Sequence, residues 1–299
     1  MHTLQTAQQY SDLLGPDVES SPYEFALLFT ASGWFGRMRD KNRFKLLRAI
    51  DPLLMRMLHA GERVYFVTSG TTATMAEQFF TGAAITQAIN RRALVFTTER
   101  VLLLQINRRQ KPGKLLSQIA YASIQAVKAT WNGYCQVKLR NQTKLNFLNV
   151  PKADRKGLAA LLADVIKSTD TYSLANASPG LEHLCPHCFT PVGGHPDSCP
   201  HCHGKFKRPR IALLRSFLFP GLGDLYLGHR GFAALEMMGA AWFWFLLVFS
   251  PLLGLPDDHG VVPEVNAASL TTGFVMLAVM HAIDGIMAHH FALKGHHPA

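Results

Sequence analysis

ALVFTTERVLLLQINRRQKPGKLLSQIAYASIQAVKAT, residues 93–130, decides the fold. Within it ALVFTTE (93–99), RVLLLQI (100–106), LLSQIAY (115–121) and IQAVKAT (124–130) are short runs rich in β-branched and aromatic residues. KPG at 111–113 marks a turn between two of them. Working outward, RVYFVTS (63–69) precedes this stretch, and YCQVKLR (134–140) and KLNFLNV (144–150) follow it. NG at 132–133 and NQT at 141–143 separate the later runs. Seven short strands at this spacing predict an antiparallel sandwich or barrel. PKADRKGLAALLADVIK then places Leu158, Leu161, Leu162 and Val165 on one helical face. A barrel capped by one C-terminal amphipathic helix is the architecture this pattern requires.

Residues 1–60 read as a helical N-terminal extension. RFKLLRAIDPLLMRML (43–58) puts Phe44, Leu47, Ile50, Leu54 and Met57 in one apolar stripe. Asp51-Pro52 reads as an N-cap followed by a first-turn proline, which predicts a break there. Arg37, Arg39, Lys41, Arg43, Lys45 and Arg48 form the opposite face. The plainer reading is a solvated face on a packed helix; the other is a membrane-surface helix. Residues 71–92, TTATMAEQFFTGAAITQAINRR, insert a helix between the first two strands of the 61–168 domain. It is too short and polar to span a bilayer, and is expected to touch the membrane or a partner.

Four of the five cysteines form Cys185-x2-Cys188-x10-Cys199-x2-Cys202, within residues 183–207 and after a linker at 169–182. Four thiolates on two tight turns suit tetrahedral Zn²⁺. All ligands would be protein atoms with no open position, so one structural zinc per chain is expected. Cys199-Pro-His-Cys202-His203 formally matches a haem-attachment pattern, but the first CPHC lacks the trailing histidine. His187, His195, His201 and His203 read as exposed ribbon residues, and Cys135 as a small buried one.

The formal charge of +10 sits almost entirely before residue 230. From Phe232 to Phe291 there is no Lys or Arg, and the acids are Glu236, Asp257, Asp258, Glu264 and Asp284. Met237–Leu255 is 19 residues without a charge, and Ala267 to Phe291 forms a second, more polar apolar run. Within 211–294 these predict a two-helix transmembrane hairpin, with Trp242 and Trp244 as packing residues. Lys205, Lys207, Arg208, Arg210 and Arg215 before it, and Lys294 after it, place both flanks in the cytoplasm by the positive-inside bias. MHTLQTAQQYSDLLGPDVES does not read as a secretory signal, so the chain is expected in the cytoplasmic (inner) membrane with both termini cytoplasmic. The fold class is α+β, a multidomain membrane protein.

Two stretches resemble known families. GERVYFVTSG, ALVFTTERVLLLQ and LSQIAYASIQAVKAT, then a strand pair and a helix, resemble the bacterial pleckstrin-homology-like domains over roughly 60–168. That family repeats a GE-x-V strand, a T-x-x-R hairpin and an I-x-Y-x-x-I strand in this order. The resemblance implies a barrel that binds lipid or a protein partner. FLFPGLGDLYLGHRGFAAL with MHAIDGIMAHHF is similar to two-transmembrane-helix domains carrying PG-x-G-x-x-YLG and an Asp in the second helix. Pro220, Gly221, Gly223, Tyr226, Leu227, Gly228 and Asp284 match; Asp224 departs from the His or other polar residue usual there. A buried membrane Asp284 needs a partner, and Arg230 or His229 is expected to supply it. The simpler role for Asp284 is a polar latch between helices; the other is an ion or proton site.

These readings predict a membrane-anchored cytoplasmic adaptor whose barrel binds anionic lipid or a protein partner. Arg91, Arg92, Arg108, Arg109, Lys111 and Lys114 are the candidate contacts, with ordinary solubilising charge as the competing reading. The alternative is a subunit of an oligomeric channel or transporter, possible as a homo-oligomer, using Asp284, Asp224, His229 and Arg230. No hydrolase elbow, phosphate loop or zincin motif occurs, so an enzyme is not expected. Nucleic-acid binding would need free aromatics among the cations, and the ribbon offers only Phe189 and Phe206.

Overall fold

The computed structural model describes residues 21–30, 33–74, 77–79, 82–130, 134–168, 178–249, 253 and 267–299. The predicted linker at 169–182 and the acidic loop between the apolar runs lie mostly outside these residues. The chain divides into two compact units, Met1–Gly193 and Gly194–Ala299.

In the first unit, α1 (Phe25–Leu28) and α2 (Gly33–Met57) precede an antiparallel sheet. Its strands are β1 (Val64–Thr72), β2 (Arg91–Thr97), β3 (Arg100–Ile106), β4 (Pro112–Ala120), β5 (Ile124–Ala129), β6 (Cys135–Leu139), β7 (Lys144–Leu148) and β8 (Glu182–Leu184). The short helix α3 (Ala83–Ile89) lies in the β1–β2 connection, and α4 (Lys152–Ser168) follows β7. Strand order is β5-β6-β7-β1-β2-β3-β4-β8. All seven strands expected from sequence are present. The barrel is not closed, however: the edge of β4 that closure on β5 would need pairs with β8, along Leu116–Gln118.

The central strands are covered on both faces, so alternation along them selects between two cores and not between core and solvent. Ala93, Val95, Leu102 and Leu104 face one cluster, with Leu47, Ile50, Leu54 and Met57 of α2. Leu94, Phe96, Val101 and Leu103 face the other, with Leu158 and Leu162 of α4. The apolar stripe read on α2 is therefore its sheet-facing side. The expected break at Pro52 does not occur: α2 runs through it to Met57. A proline loses one backbone hydrogen bond. The stripe residues on both sides of it, Ile50 and Leu54, are fully buried on the same sheet face, which holds the two halves as one helix.

Arg43 also departs from the expected solvated face. It is buried, donates to Asp154 at 2.7 Å and to Leu28 O, and lies 4.9 Å from the Phe66 ring. Asp154 accepts a second bond from Thr68 Oγ1 at 2.7 Å. One ion pair thus ties α2, β1 and α4 together. Burial lowers the Arg43 pKa from its ordinary value, while Asp154 and Asp40 oppose that.

The motif residues that carried the family resemblance meet at one corner of this unit. Arg100 Nε and Nη2 donate to the two carboxylate oxygens of Glu62 at 3.0 and 2.9 Å, and Nη2 also reaches Met57 O at 2.9 Å. Thr97 Oγ1 donates to Glu62 at 2.6 Å, and Tyr121 OH donates to Thr97 O at 2.7 Å. The GE-x-V, T-x-x-R and I-x-Y-x-x-I residues are joined by one hydrogen-bond network.

The second unit holds α5 (Pro209–Leu218), α6 (Leu222–Leu227), α7 (Arg230–Trp244), a wider helical turn at Phe245–Phe249, and α8 (Ala267–Ala292). Within α8, Leu270–Ala292 is long and apolar enough to cross a membrane. Only 28% of its apolar window is buried, and Phe274, Val275, Val279, Ile283 and Ile286 are exposed. A core helix of a water-soluble domain would hide these side chains. The first apolar run is described only to Phe249 and at Leu253. Trp242, expected to pack inside, is exposed and stacks on Phe245.

Candidate metal centre and basic surface

Each CPHC is the tip of a small hairpin, and the two hairpins have the same geometry. Phe189 N–H donates to Cys185 O at 2.9 Å and His203 N–H to Cys199 O at 3.0 Å. Cys185 N–H donates to Thr190 O at 3.0 Å and Cys199 N–H to Gly204 O at 2.9 Å. Bridges Leu184–Pro191 and Ser198–Lys205 close the two turns. Phe189 and His203 take positive φ, 62° and 59°, which turns the chain after the second cysteine of each pair. A tight turn of this kind points both sulfurs of a CxxC pair to one side.

The sulfurs of Cys185, Cys188, Cys199 and Cys202 lie within 4.8 Å of one another. Tetrahedral zinc at about 2.3 Å from each sulfur needs sulfurs about 3.8 Å apart. The His187 N–H points at Cys185 Sγ at 3.4 Å, the kind of backbone contact that supports a thiolate ligand. The donor set, its spacing and its supporting N–H contact fit a closed tetrahedral thiolate site. Bound there, zinc would act as a structural cross-link. Cys135 stands apart as a buried thiol on β6, its pKa pushed up to about 11 by burial.

The ribbon aromatics are both engaged. Phe189 packs against the first core cluster with Arg56 5.1 Å from its ring, and Phe206 is buried, stacked 4.6 Å from His296.

Four of the six candidate surface cations share one hairpin. Arg108, Arg109, Lys111 and Lys114 are exposed in or beside the β3–β4 turn. Asn107 organises that turn: its Oδ1 accepts the N–H of Arg109 at 2.9 Å and of Lys111 at 3.0 Å. Gln110, with φ 63°, completes it. Arg91 is half-buried at the start of β2, and the Arg92–Gln105 and Ile106–Pro112 register brings it to the same end of the sheet. The insert leaves the sheet there as well. Its Thr74 and Glu77 form a capping box, and Phe79 is 83% exposed.

Arg92 is a correction. It is 6% exposed and reaches Leu115 O at 3.4 Å, and burial pushes its pKa down to about 10 against the opposing pull of Glu77. β2 lies between β1 and β3 with both faces covered, so a residue one position inside the strand end is already interior.

In the second unit the glycine motif has a steric basis. A Cβ on Gly223 would come within 2.3 Å of Ser216 Oγ and 2.7 Å of Ala288 Cβ. At Gly221, φ is 87° and a Cβ would meet Ala233 O at 2.7 Å. Tyr226 receives Lys207 and Arg215 over its ring at 5.4 and 4.4 Å, which seats the basic run. Asp284 is buried and accepts the Gly221 N–H at 2.9 Å. Neither partner expected for it is used: Arg230 is exposed, and His229 Nδ1 is 2.7 Å from Asp224. His281 is a latch, its ring nitrogens engaged by Phe217 O at 2.8 Å and Trp244 Nε1 at 3.3 Å.

Comparison with family models, with characterised proteins and with solved structures gave no match for this chain.

Proposed function

We propose that this chain is a membrane-anchored adaptor whose sheet unit docks on an anionic surface through the end that carries the β3–β4 hairpin. The observation that carries this reading is the gathering of Arg91, Arg108, Arg109, Lys111 and Lys114 with the exposed Phe79 at one end of the sheet. Cations with a nearby exposed aromatic suit a lipid headgroup layer, each cation contributing about 1 kcal/mol. The anchor is a two-helix hairpin, with zinc in the ribbon beside it.

The chain around the ribbon supports the hairpin topology. Lys207 N–H donates to His297 O at 2.8 Å and Ala299 N–H to Lys205 O at 3.0 Å. The segments flanking the helices are thus paired, so the helical region leaves on the side where it enters. An external-side reporter inserted near His259 is expected to be active, and the same reporter after Lys294 silent. The reverse pattern would overturn the orientation.

The docking role is tested with the fragment 1–184, which ends at Leu184, the last residue of either core cluster of the sheet unit. It is expected to co-sediment with acidic vesicles and not with zwitterionic ones, and to release as salt rises. Replacing Arg108, Arg109 and Lys111 by alanine should weaken binding by on the order of 3 kcal/mol, about a hundredfold. A folded fragment that ignores acidic vesicles at low salt would make this end of the sheet a protein contact, with anchoring left to the helices.

A further inference from the structure

The second unit holds a group of acids that the spacing of its motif does not reveal. Asp224 of α6, Glu236 of α7 and Asp284 of α8 bring one carboxylate oxygen each to within 4.8 Å of one another. Asp224 is fully buried, Asp284 is 7% exposed, and Glu236 is half-buried. Three carboxylates this close and this dry repel one another unless something positive lies among them.

Their partners fall short of that. His229 Nδ1 engages Asp224 Oδ1 at 2.7 Å, and the Gly221 N–H donates to Asp284 Oδ2 at 2.9 Å. Among the described residues no Lys or Arg pairs with any of the three. Two oxygens remain: Asp224 Oδ2 and Glu236 Oε2 are buried and have no hydrogen-bond partner there. An unmatched acceptor on a fully buried aspartate costs several kcal/mol when the group is charged. Asp224, fully buried and with one oxygen left without a hydrogen-bond partner, is itself a member of the cluster, which points to a ligand the cluster is built to hold.

We propose that Asp224, Glu236 and Asp284 bind one hard divalent cation of the Mg²⁺, Ca²⁺ or Mn²⁺ class. The donors are all carboxylate oxygens, which favour these ions over zinc or copper. Oxygens around a cation at about 2.1–2.4 Å lie no more than about 4.8 Å apart, the span the three acids already have. His229 and the Gly221 N–H then act from outside, each fixing a carboxylate that ligates. The three ligands come from three helices, and the cation therefore cross-links α6, α7 and α8.

The test is a titration of the full chain in detergent, dialysed free of divalent ions other than the ribbon's zinc. Mn²⁺ serves as the probe, because its free form is counted directly by electron paramagnetic resonance. One Mn²⁺ per chain is expected, displaced by Mg²⁺ or Ca²⁺, with affinity reduced at least tenfold in Glu236→Gln and in Asp224→Asn. The Cys188→Ser chain should bind Mn²⁺ like the original, which separates this site from the ribbon. Zinc content and helical circular dichroism report folding of each variant. A folded chain that binds no Mn²⁺ overturns the proposal, as does a folded Glu236→Gln that binds it equally well.

Discussion

The Cys188→Ser chain is expected to purify without zinc, where the original carries one zinc per chain. The two hairpins contribute two sulfurs each. The free energy that structural zinc supplies in small thiolate domains is on the order of 10 kcal/mol. Serine is a poor zinc ligand at neutral pH because its hydroxyl stays protonated. With three thiolates the site should lose metal to a mild chelator that leaves the original intact. The backbone bonds within 185–190 and 199–204 should then exchange hydrogen quickly, including those of Phe189 and His203 to the cysteine carbonyls. The sheet should persist, since Leu184 is the only member of either fully buried sheet core from this neighbourhood. Metal analysis showing one zinc in the variant would overturn the assignment of Cys188 as a ligand.

Removing Glu62 should cost the sheet unit about 3–5 kcal/mol, because it strands the buried Arg100 guanidinium. Glu62 is 2% exposed and accepts from four donors at once: two Arg100 nitrogens, the Thr97 hydroxyl and the His59 N–H. The comparison is between Glu62→Ala and the double variant Glu62→Leu/Arg100→Leu, which removes both charges. The double variant should recover much of the loss in denaturant unfolding. A Glu62→Ala cost below about 1 kcal/mol would show that the network does not organise the corner. The pair also makes stability pH-dependent. Burial pushes the Glu62 pKa up, but hydrogen bonds from Arg100, Thr97 and His59 outweigh it and leave it below the ordinary 4.5. Its contribution is thus complete above that value and lost as pH falls beneath it.

The elements that sequence reveals here are those whose pattern has one cause. Seven strands and α4 followed from β-branched runs, turn residues and a single stripe, and the cysteine spacing marked the ribbon. Residues with two causes were misread. Arg43 falls at the same spacing as Leu47, Ile50 and Leu54, so its position on the stripe was visible, but its charge assigned it to solvent. Arg92 looks like a strand flank until β3 is known to cover it. Glu236 stands immediately before the uncharged run Met237–Leu255, and nothing in its spacing ties it to Asp224 or Asp284, which come from other helices. β8 is three residues long, too short for alternation to show, and its existence depends on a free edge of β4 far away in the chain. Pro52 has the local chemistry of a boundary, and only the buried stripe across it keeps the helix whole.

The pairing of residues 205–207 with 297–299 carries a consequence for biogenesis. The ribbon side of that pair leaves the ribosome well before its partner is made. Its backbone groups at Lys205 and Lys207 wait for a strand that arrives only after α8 has been made. Under the proposed hairpin topology, a chain whose α8 fails to return to the ribbon's side leaves Lys205 and Lys207 without these backbone partners and Phe206 without the stacked His296 ring. The tail would thereby make closure of this joint depend on the completed return of α8, so that topology and folding are checked by the same few backbone bonds.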